Sequence, residues 1–262
     1  MRYLTKDIAA SFKHPEFWAL SSWLDIVVRY RRSSLGLFWL VLPAVIYIWG
    51  LGGFFAHIAG TPLFKFAAHV AIGYAVFRVL STVIVESTTA FASSSAFIMD
   101  GHVRLTDFML RVIAKALFYF VASLPVVAIA LAIYPDLHWT GVFLSVPSMT
   151  LIIFNVFWIG VVFGLVGARF PDMSQFIGNI FMFAFLLTPI IWRADGMPAD
   201  SLRGMLMRIN PLFHMVELVR APMLGERIEM LTFYYMGILT IAGWMAAVFA
   251  YRRYARFVPI WI

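Results

Sequence analysis

Residues Phe17 to Arg32, F-W-A-L-S-S-W-L-D-I-V-V-R-Y-R-R, run on through Ser33 and Ser34 into the long apolar stretch from Leu35 to Ile58. Wound as a helix, Phe17, Leu20, Leu24, Val27 and Val28 fall on one face, while Ser22, Asp25, Arg29 and Arg32 fall on another. Such a basic amphipathic segment lies on a membrane before the chain dives in.

The rest of the chain agrees. Of its 262 residues 63% are hydrophobic and only 13% charged, and its mean hydropathy is +0.89, far from the roughly 25% charged content of soluble domains. This reads as a polytopic membrane protein. Nine Trp, ten Tyr and 26 Phe exceed what lipid packing requires, so interfacial belts or an aromatic-lined pathway absorb some of them. The formal charge of +7 is mostly arginine near segment ends, where it meets anionic headgroups and sets topology, so membrane lipids are the expected partner and nucleic acid is not. Cysteine is absent, which excludes disulfides, thiolate metal sites and cysteine nucleophiles. No cleavable signal peptide is expected, because the first apolar run is too long for one and follows a polar leader.

Six segments have about the length and apolarity of a membrane span: Leu35–Ile58, Phe66–Ala90, Phe108–Ile133, Val142–Ala168, Phe176–Trp192 and Met230–Tyr251. With the N-terminus inside, the inner side collects Arg2, Lys6, Lys13, Arg29, Arg31, Arg32, Arg104, Arg169, Arg252, Arg253 and Arg256, whereas the outer loops as far as Thr140 hold only Lys65. Both termini therefore read as cytoplasmic. The segment Arg193 to Glu229 breaks this rule with Arg193, Arg203, Arg208, Arg220 and Arg227, yet is too apolar for a solvated loop. Its periodicity predicts two short helices, Ala199–Ile209 and Pro211–Met223, divided by the turn signal Asn210-Pro211. They read as a re-entrant hairpin dipping back from the outer face.

Proline lies inside spans at Pro43, Pro125, Pro147 and Pro189, and Gly160-x-x-x-Gly164 is followed by Gly167. Kinks and close helix packing are expected, with packing inside one subunit preferred over a homodimer seam.

Several constellations bear on chemistry. Arg78 lies inside the second span, where a charge faces a cavity or a partner. Glu86 is about 12 Å further along that helix, so the two do not pair directly. His102-x-x-x-x-Asp107 has the spacing of an acyltransferase dyad, although such a pair arises readily by chance. His214 and Glu217 stand at i, i+3 and read as a structural hydrogen-bond pair, since two ligands do not make a metal site. No G-x-x-x-x-G-K-[ST] occurs, so any ATP-driven process requires another subunit to bind the nucleotide. The loop Ser93–Asp107 carries an apolar Phe97-Ile98-Met99 patch that a solvated connector does not need, and could dock such a subunit.

Taken together these features resemble the ABC-2 type export permeases, in the branch that exports O-antigen or capsular polysaccharide. The matching pieces are Arg29-Tyr30-Arg31 before Leu35-Gly36-Leu37-Phe38-Trp39, Phe170-Pro171-Asp172-Met173, Thr188-Pro189, the run from Asn210 to Leu218, and Tyr251-Arg252-Arg253-Tyr254 with Phe257 and Trp261. The resemblance implies an all-α integral membrane protein of six transmembrane helices, with an N-terminal amphipathic interface helix and an outer re-entrant hairpin between spans five and six. Residues 1–33 would form the cytoplasmic N-terminus and interface helix, and 34–262 the membrane domain, with a coupling loop at 93–107 and a periplasmic hairpin at 193–229.

It also implies a homodimer served by two ABC ATPase subunits, which bind ATP and Mg²⁺, and a polysaccharide carried on undecaprenyl pyrophosphate. Phe97, Ile98, Met99, Asp100 and Arg104 would contact the ATPases. Sugar rings suit an aromatic-lined channel, for which Phe38, Trp39, Tyr47, Trp49, Phe181, Phe183 and Phe185 are candidates. Arg29, Arg31 and Arg32 are placed to meet the pyrophosphate, while Arg203, Arg208, His214, Glu217 and Arg220 would flank the exit. Three rivals remain at this point: an exporter of a small lipid or drug from the same superfamily, a membrane acyltransferase using His102 and Asp107, and a passive channel.

Overall fold

The computed structural model describes residues 3–194, 197–198 and 200–262, and every regular element among them is a helix. Arg2, counted above among the inner charges, and Ala199, the expected start of the hairpin, lie outside the described residues.

The chain opens with α1 (Leu4–Lys13) and α2 (Glu16–Tyr30), divided at Pro15, whose ring supplies no backbone N–H and so suits a helix start. Ser22 and Ile26 of α2 are buried and Asp25 is half-buried, on the side that packs along α7, while Leu20, Leu24 and Val28 are exposed. The exposed side is thus largely the apolar face of the sequence, except for Phe17, which packs inward.

The first span, Phe38–Ile58, is made of α3 (Phe38–Val45), a π-helical turn (Ile46–Leu51) and α4 (Gly52–Ile58). Its helix begins three residues after Leu35, because Gly36 adopts φ 51°, open to glycine and costly for other residues. At the centre of the molecule stands α5 (Leu63–Ala90), apolar on nearly all sides and buried on nearly all sides. The short α6 (Ser95–Asp100) leads into α7 (Leu105–Ala132), which packs along α5, and α8 (Trp139–Arg169) lies against α5 on another side. Gly160, Gly164 and Gly167 let α8 approach α5: a Cβ on Gly167 would stand 1.9 Å from the Thr88 carbonyl oxygen. These glycines therefore serve packing within the subunit.

α9 (Met173–Leu187) departs from the sequence reading, which carried this span to Trp192. Its 15 residues reach about 22 Å at 1.5 Å per residue, short of the ~30 Å hydrocarbon core. The helix stops at Thr188 because a residue before proline is pushed out of the helical region. Thr188 is extended at ψ 133°. Among the described residues five helices are thus long and apolar enough to cross a membrane, with α9 a shorter apolar helix beside them.

Beyond it come α10 (Leu202–Ile209) and α11 (Pro211–Leu224), divided at Asn210-Pro211 as the sequence indicates. The Asn210 side-chain oxygen accepts from the Leu212 N–H at 3.0 Å, and Pro211 takes the first helical position. α11 is buried between α5, α8 and α12 (Met230–Tyr254), and a final turn, α13 (Val258–Trp261), closes the chain. α8 and α12 are joined inside the molecule by Asn155, whose amide donates to the Thr240 hydroxyl at 2.9 Å.

Candidate functional site

Three of the seven nominated aromatics come together, and they do so against α5. Tyr47, in the π-helical turn, stacks on Tyr74 with ring centres 4.9 Å apart, and meets Phe185 edge-on at 5.2 Å. Phe77 completes the group, 5.3 Å from Phe185 and 5.9 Å from Phe181. Phe181 and Phe185 share this face of α9 at i, i+4, which sends Phe183 outward, where it is exposed. Phe38 and Trp39 are exposed at the start of the first span, the Trp39 indole donating to the Ser33 hydroxyl at 2.8 Å. Trp49 packs against the main core apart from this group. Sequence reasoning missed Tyr74 and Phe77, although both stand within four residues of the conspicuous Arg78.

Among the described residues Arg78 is held by neutral groups. Its Nη1 donates to the Leu40 carbonyl and to the Tyr74 hydroxyl, both at 3.1 Å, and the guanidinium lies 5.3 Å from the centre of the Tyr119 ring. Glu86, as expected, pairs elsewhere, with Lys115 of α7. Arg111 of α7 binds Asp25 of α2 through both ends of the carboxylate. These two pairs and Arg29 line a charged cavity of about 280 Å³ between α2, α5 and α7. Of the three nominated arginines, Arg29 donates to the Tyr119 hydroxyl at 3.1 Å, while Arg31 and Arg32 are exposed just beyond α2.

On α6 the apolar patch divides. Phe97 and Met99 are 50% and 62% exposed, but Ile98 is buried in the core and has no side chain to offer a partner. Phe97 rests edge-on against Phe17 of α2, which meets Phe108 of α7 in the same way, so α2, α6 and the start of α7 form one aromatic clasp. The His102 and Asp107 dyad is not formed. The exposed His102 ring bonds Asp100 at 3.0 Å, and Asp107 is spent on capping α7, its Oδ2 accepting the Arg104 N–H at 3.0 Å. A carboxylate three residues into a helix is drawn back to the cap before it can orient a flexible neighbour.

In the segment before α12 the nominated cations have different surroundings. Arg203 is exposed. Arg208 donates through Nε to Glu229 at 2.8 Å, and this bond holds the Glu229 carboxyl below its ordinary range. Arg220 is 2% exposed and committed to Glu217 at 2.6 Å, to His69 at 3.1 Å and to the Pro189 carbonyl. His214 does not pair with Glu217: its Nε2 bonds the Arg208 carbonyl at 2.8 Å and its Nδ1 the Thr232 hydroxyl at 2.9 Å. Because a carbonyl only accepts, Nε2 carries the proton and Nδ1 accepts from Thr232. Burial pushes the His214 pKa down.

Long apolar helices around a buried central helix define a multi-pass membrane protein. Residues 16–224 match the family described as ABC-2 type transporter, and the chain belongs to that family. It is a transport subunit rather than an enzyme, and ATP hydrolysis belongs to a separate subunit. Among curated proteins it is similar to two O-antigen export system permease proteins RfbA of Klebsiella pneumoniae. One is 26% identical over 210 residues, covering 73% of this chain and 74% of that protein, and the other is 21% identical over 229 residues, covering 86% and 85%. It is also similar to the polysialic acid transport protein KpsM of Escherichia coli, at 23% identity over 232 residues covering 87% and 89%.

Proposed function

We propose that this chain is the permease subunit of an ATP-driven exporter of polysaccharide, O-antigen first and capsule second, carried on undecaprenyl pyrophosphate across the bacterial inner membrane. The observation that carries the reading is similarity over most of the chain both to O-antigen export permeases and to a polysialic acid transporter. Those relatives differ in glycan and agree in moving one. The aromatic group of Tyr47, Tyr74, Phe77, Phe181 and Phe185 supports it further, since sugar C–H faces lie well against π-faces while hydroxyls remain hydrated.

In this reading α9 is the fifth of six spans, with the extended Thr188-Pro189 carrying the chain through the remaining depth, α10 with α11 is a re-entrant periplasmic hairpin within 193–229, and α12 is the sixth span. Both termini are cytoplasmic. Residues 1–33 form the interface helix region and 34–262 the membrane domain. Two copies of the chain enclose the pathway, and two ATPase subunits holding ATP and Mg²⁺ press on α2 and on the exposed Phe97 and Met99. Arg31 and Arg32, with Arg29, meet the pyrophosphate at the inner interface. Arg203 stands nearest to headgroups at the exit.

ATP binding by the partner subunits shifts the population from a closed to an open pathway, which requires that nucleotide favour one arrangement of α2 and α6 over the other. The test is translocation in proteoliposomes holding the permease with its ATPase subunits and an undecaprenyl-linked glycan. ATP-dependent protection of the glycan from an external glycosidase supports the reading. Hydrolysis stimulated instead by a small lipid or drug, with no glycan movement, overturns it.

A further inference from the structure

We propose that Arg78 is a positioning residue for transport, a joint that ties the attitude of α2 to the aromatic group on the first span and α9. The inference rests on the transport reading above, not on the identity of the cargo.

A guanidinium inside a span is tolerated when surrounding groups satisfy it or when it faces a cavity. Arg78 is half-buried and is satisfied by three different elements. Its Nη1 reaches the Leu40 carbonyl in α3 and the Tyr74 hydroxyl in α5, each at 3.1 Å, while its plane lies near the Tyr119 ring of α7. These partners are all neutral, and among the described residues no carboxylate pairs with the cation.

Contacts continue from it in two directions. Towards α2, Tyr119 touches both cations at once: its ring carries Arg78, and its hydroxyl accepts from Arg29 Nη1 at 3.1 Å. The Asp25–Arg111 pair holds α2 beside α7, and the Arg29 bond to the Tyr119 hydroxyl is what would pass a displacement of α2 to the ring that carries Arg78. Towards the pathway, the Tyr74 hydroxyl is held by Arg78 and its ring stacks on Tyr47, which meets Phe185 of α9. Tyr47 belongs to the π-helical turn Ile46–Leu51. Such turns interrupt helices frequently at functional positions, and their looser pitch can be taken up or released. In the proposal that turn is the element that changes arrangement between the two states, and its second arrangement is what the labelling below detects.

Arginine suits the joint and lysine does not. Nη1 bonds both acceptors while the weakly hydrated, delocalised cation lies over the Tyr119 ring, whereas an ammonium is a compact, strongly hydrated point charge that does not stack in this way.

The chain has no cysteine, so one introduced thiol reports alone. Ile46→Cys places it on the exposed side of the π-helical turn. The complex with its ATPase subunits is held in nanodiscs, and the rate of modification by a small maleimide is measured with and without ATP. We expect ATP to change that rate several-fold in the otherwise unaltered protein. Arg78→Lys and Tyr119→Phe should each abolish the difference while hydrolysis continues, and Arg29→Gln should add nothing to Tyr119→Phe. Tyr119→Phe loses the hydroxyl that Arg29 holds and Tyr74→Phe the one that Arg78 holds, each keeping its ring, so together they decide the matter even where Arg78→Lys fails to fold. Persistence of the ATP-dependent difference in Tyr119→Phe, in Tyr74→Phe or in a folded Arg78→Lys, or its absence from the unaltered protein, overturns the proposal. Failure to find an exported glycan would overturn the polysaccharide reading and leave this labelling result standing.

Discussion

Arg111 grips Asp25 through two hydrogen bonds, Nε to Oδ2 at 2.8 Å and Nη2 to Oδ1 at 2.6 Å, and so clamps α2 onto α7 across 86 positions of sequence. Both side chains are mostly buried, at 22% and 29% exposure, which spares the pair much of the screening that weakens surface ion pairs. Losing one partner of such a charged, two-point contact costs about 1.5–3 kcal/mol. Asp25→Asn should therefore lower the unfolding temperature of the purified permease and expose α2 to protease. The exchanged pair Asp25→Arg with Arg111→Asp should recover most of both. Equal loss in the single and the exchanged variants would mean that the clamp does not hold α2.

The close approach of α8 to α5 sets a second expectation. A methyl at Gly167 would stand 1.9 Å from the Thr88 carbonyl oxygen, a backbone atom that cannot swing aside. Gly167→Ala should cost about 1–3 kcal/mol through forced separation of the helices. Gly237, in α12, has nothing within 4 Å of the same position, and Gly237→Ala should be neutral or stabilise by about 0.5–1 kcal/mol. Thermal unfolding of the two variants in one detergent checks the contrast.

Acid should loosen the segment before α12. The folded pKa values of His214 and Glu229 are both depressed, the first by burial and the second by its bond to Arg208. A depressed folded pKa means that the unfolded chain binds the proton first, so each group contributes stability above its unfolded value and loses it as pH falls. The His214 contribution declines from about pH 6.5 downward and that of Glu229 from about pH 4.3 downward. In unfolding temperatures taken from about pH 8 to about pH 2.5, His214→Asn should flatten the upper part of the acid limb and Glu229→Gln the lower part. An unchanged limb in either variant would contradict the assignment for that group.

Neighbours on α6 should behave differently. Ile98 is buried, and Ile98→Ala should cost about 2–5 kcal/mol in stability. Phe97 and Met99 are exposed, so Met99→Ser should leave the unfolding temperature nearly unchanged and Phe97→Ala should cost only about 0.5–1.5 kcal/mol through its contact with Phe17, while the double variant reduces recovery of the ATPase subunit in co-purification. Undiminished recovery would remove α6 from the docking surface.

Much of this fold is legible in the sequence because its determinants are local. The apolar runs that give α5, α7, α8 and α12 are each long enough to decide a helix alone, and Asn210-Pro211 announces the break between α10 and α11 through a side-chain cap and a proline at the first position. What escaped depends on distant partners or on one backbone choice. The end of α9 turns on Thr188 leaving the helical region before Pro189, a detail hidden inside a run that stays apolar to Trp192. The π-helical turn has no sequence signature of its own. Asp25 with Arg111 and Glu86 with Lys115 are pairs between separate helices, invisible to any reading along one of them. The two faces of α2 were plain, but which of them meets protein follows from Arg111 lying opposite Asp25. His102 and Asp107 mislead for the converse reason: suitable spacing says nothing about Asp100 and the Arg104 N–H, which take the two groups first.

Transport of a lipid-linked polysaccharide is the centre of the account, and its most direct test is deletion of the gene, with surface polysaccharide and the inner-membrane pool of undecaprenyl-linked glycan followed together. The account expects loss at the surface with finished polymer accumulating inside, and restoration of both by the intact gene. Normal surface polysaccharide with no trapped intermediate would contradict it.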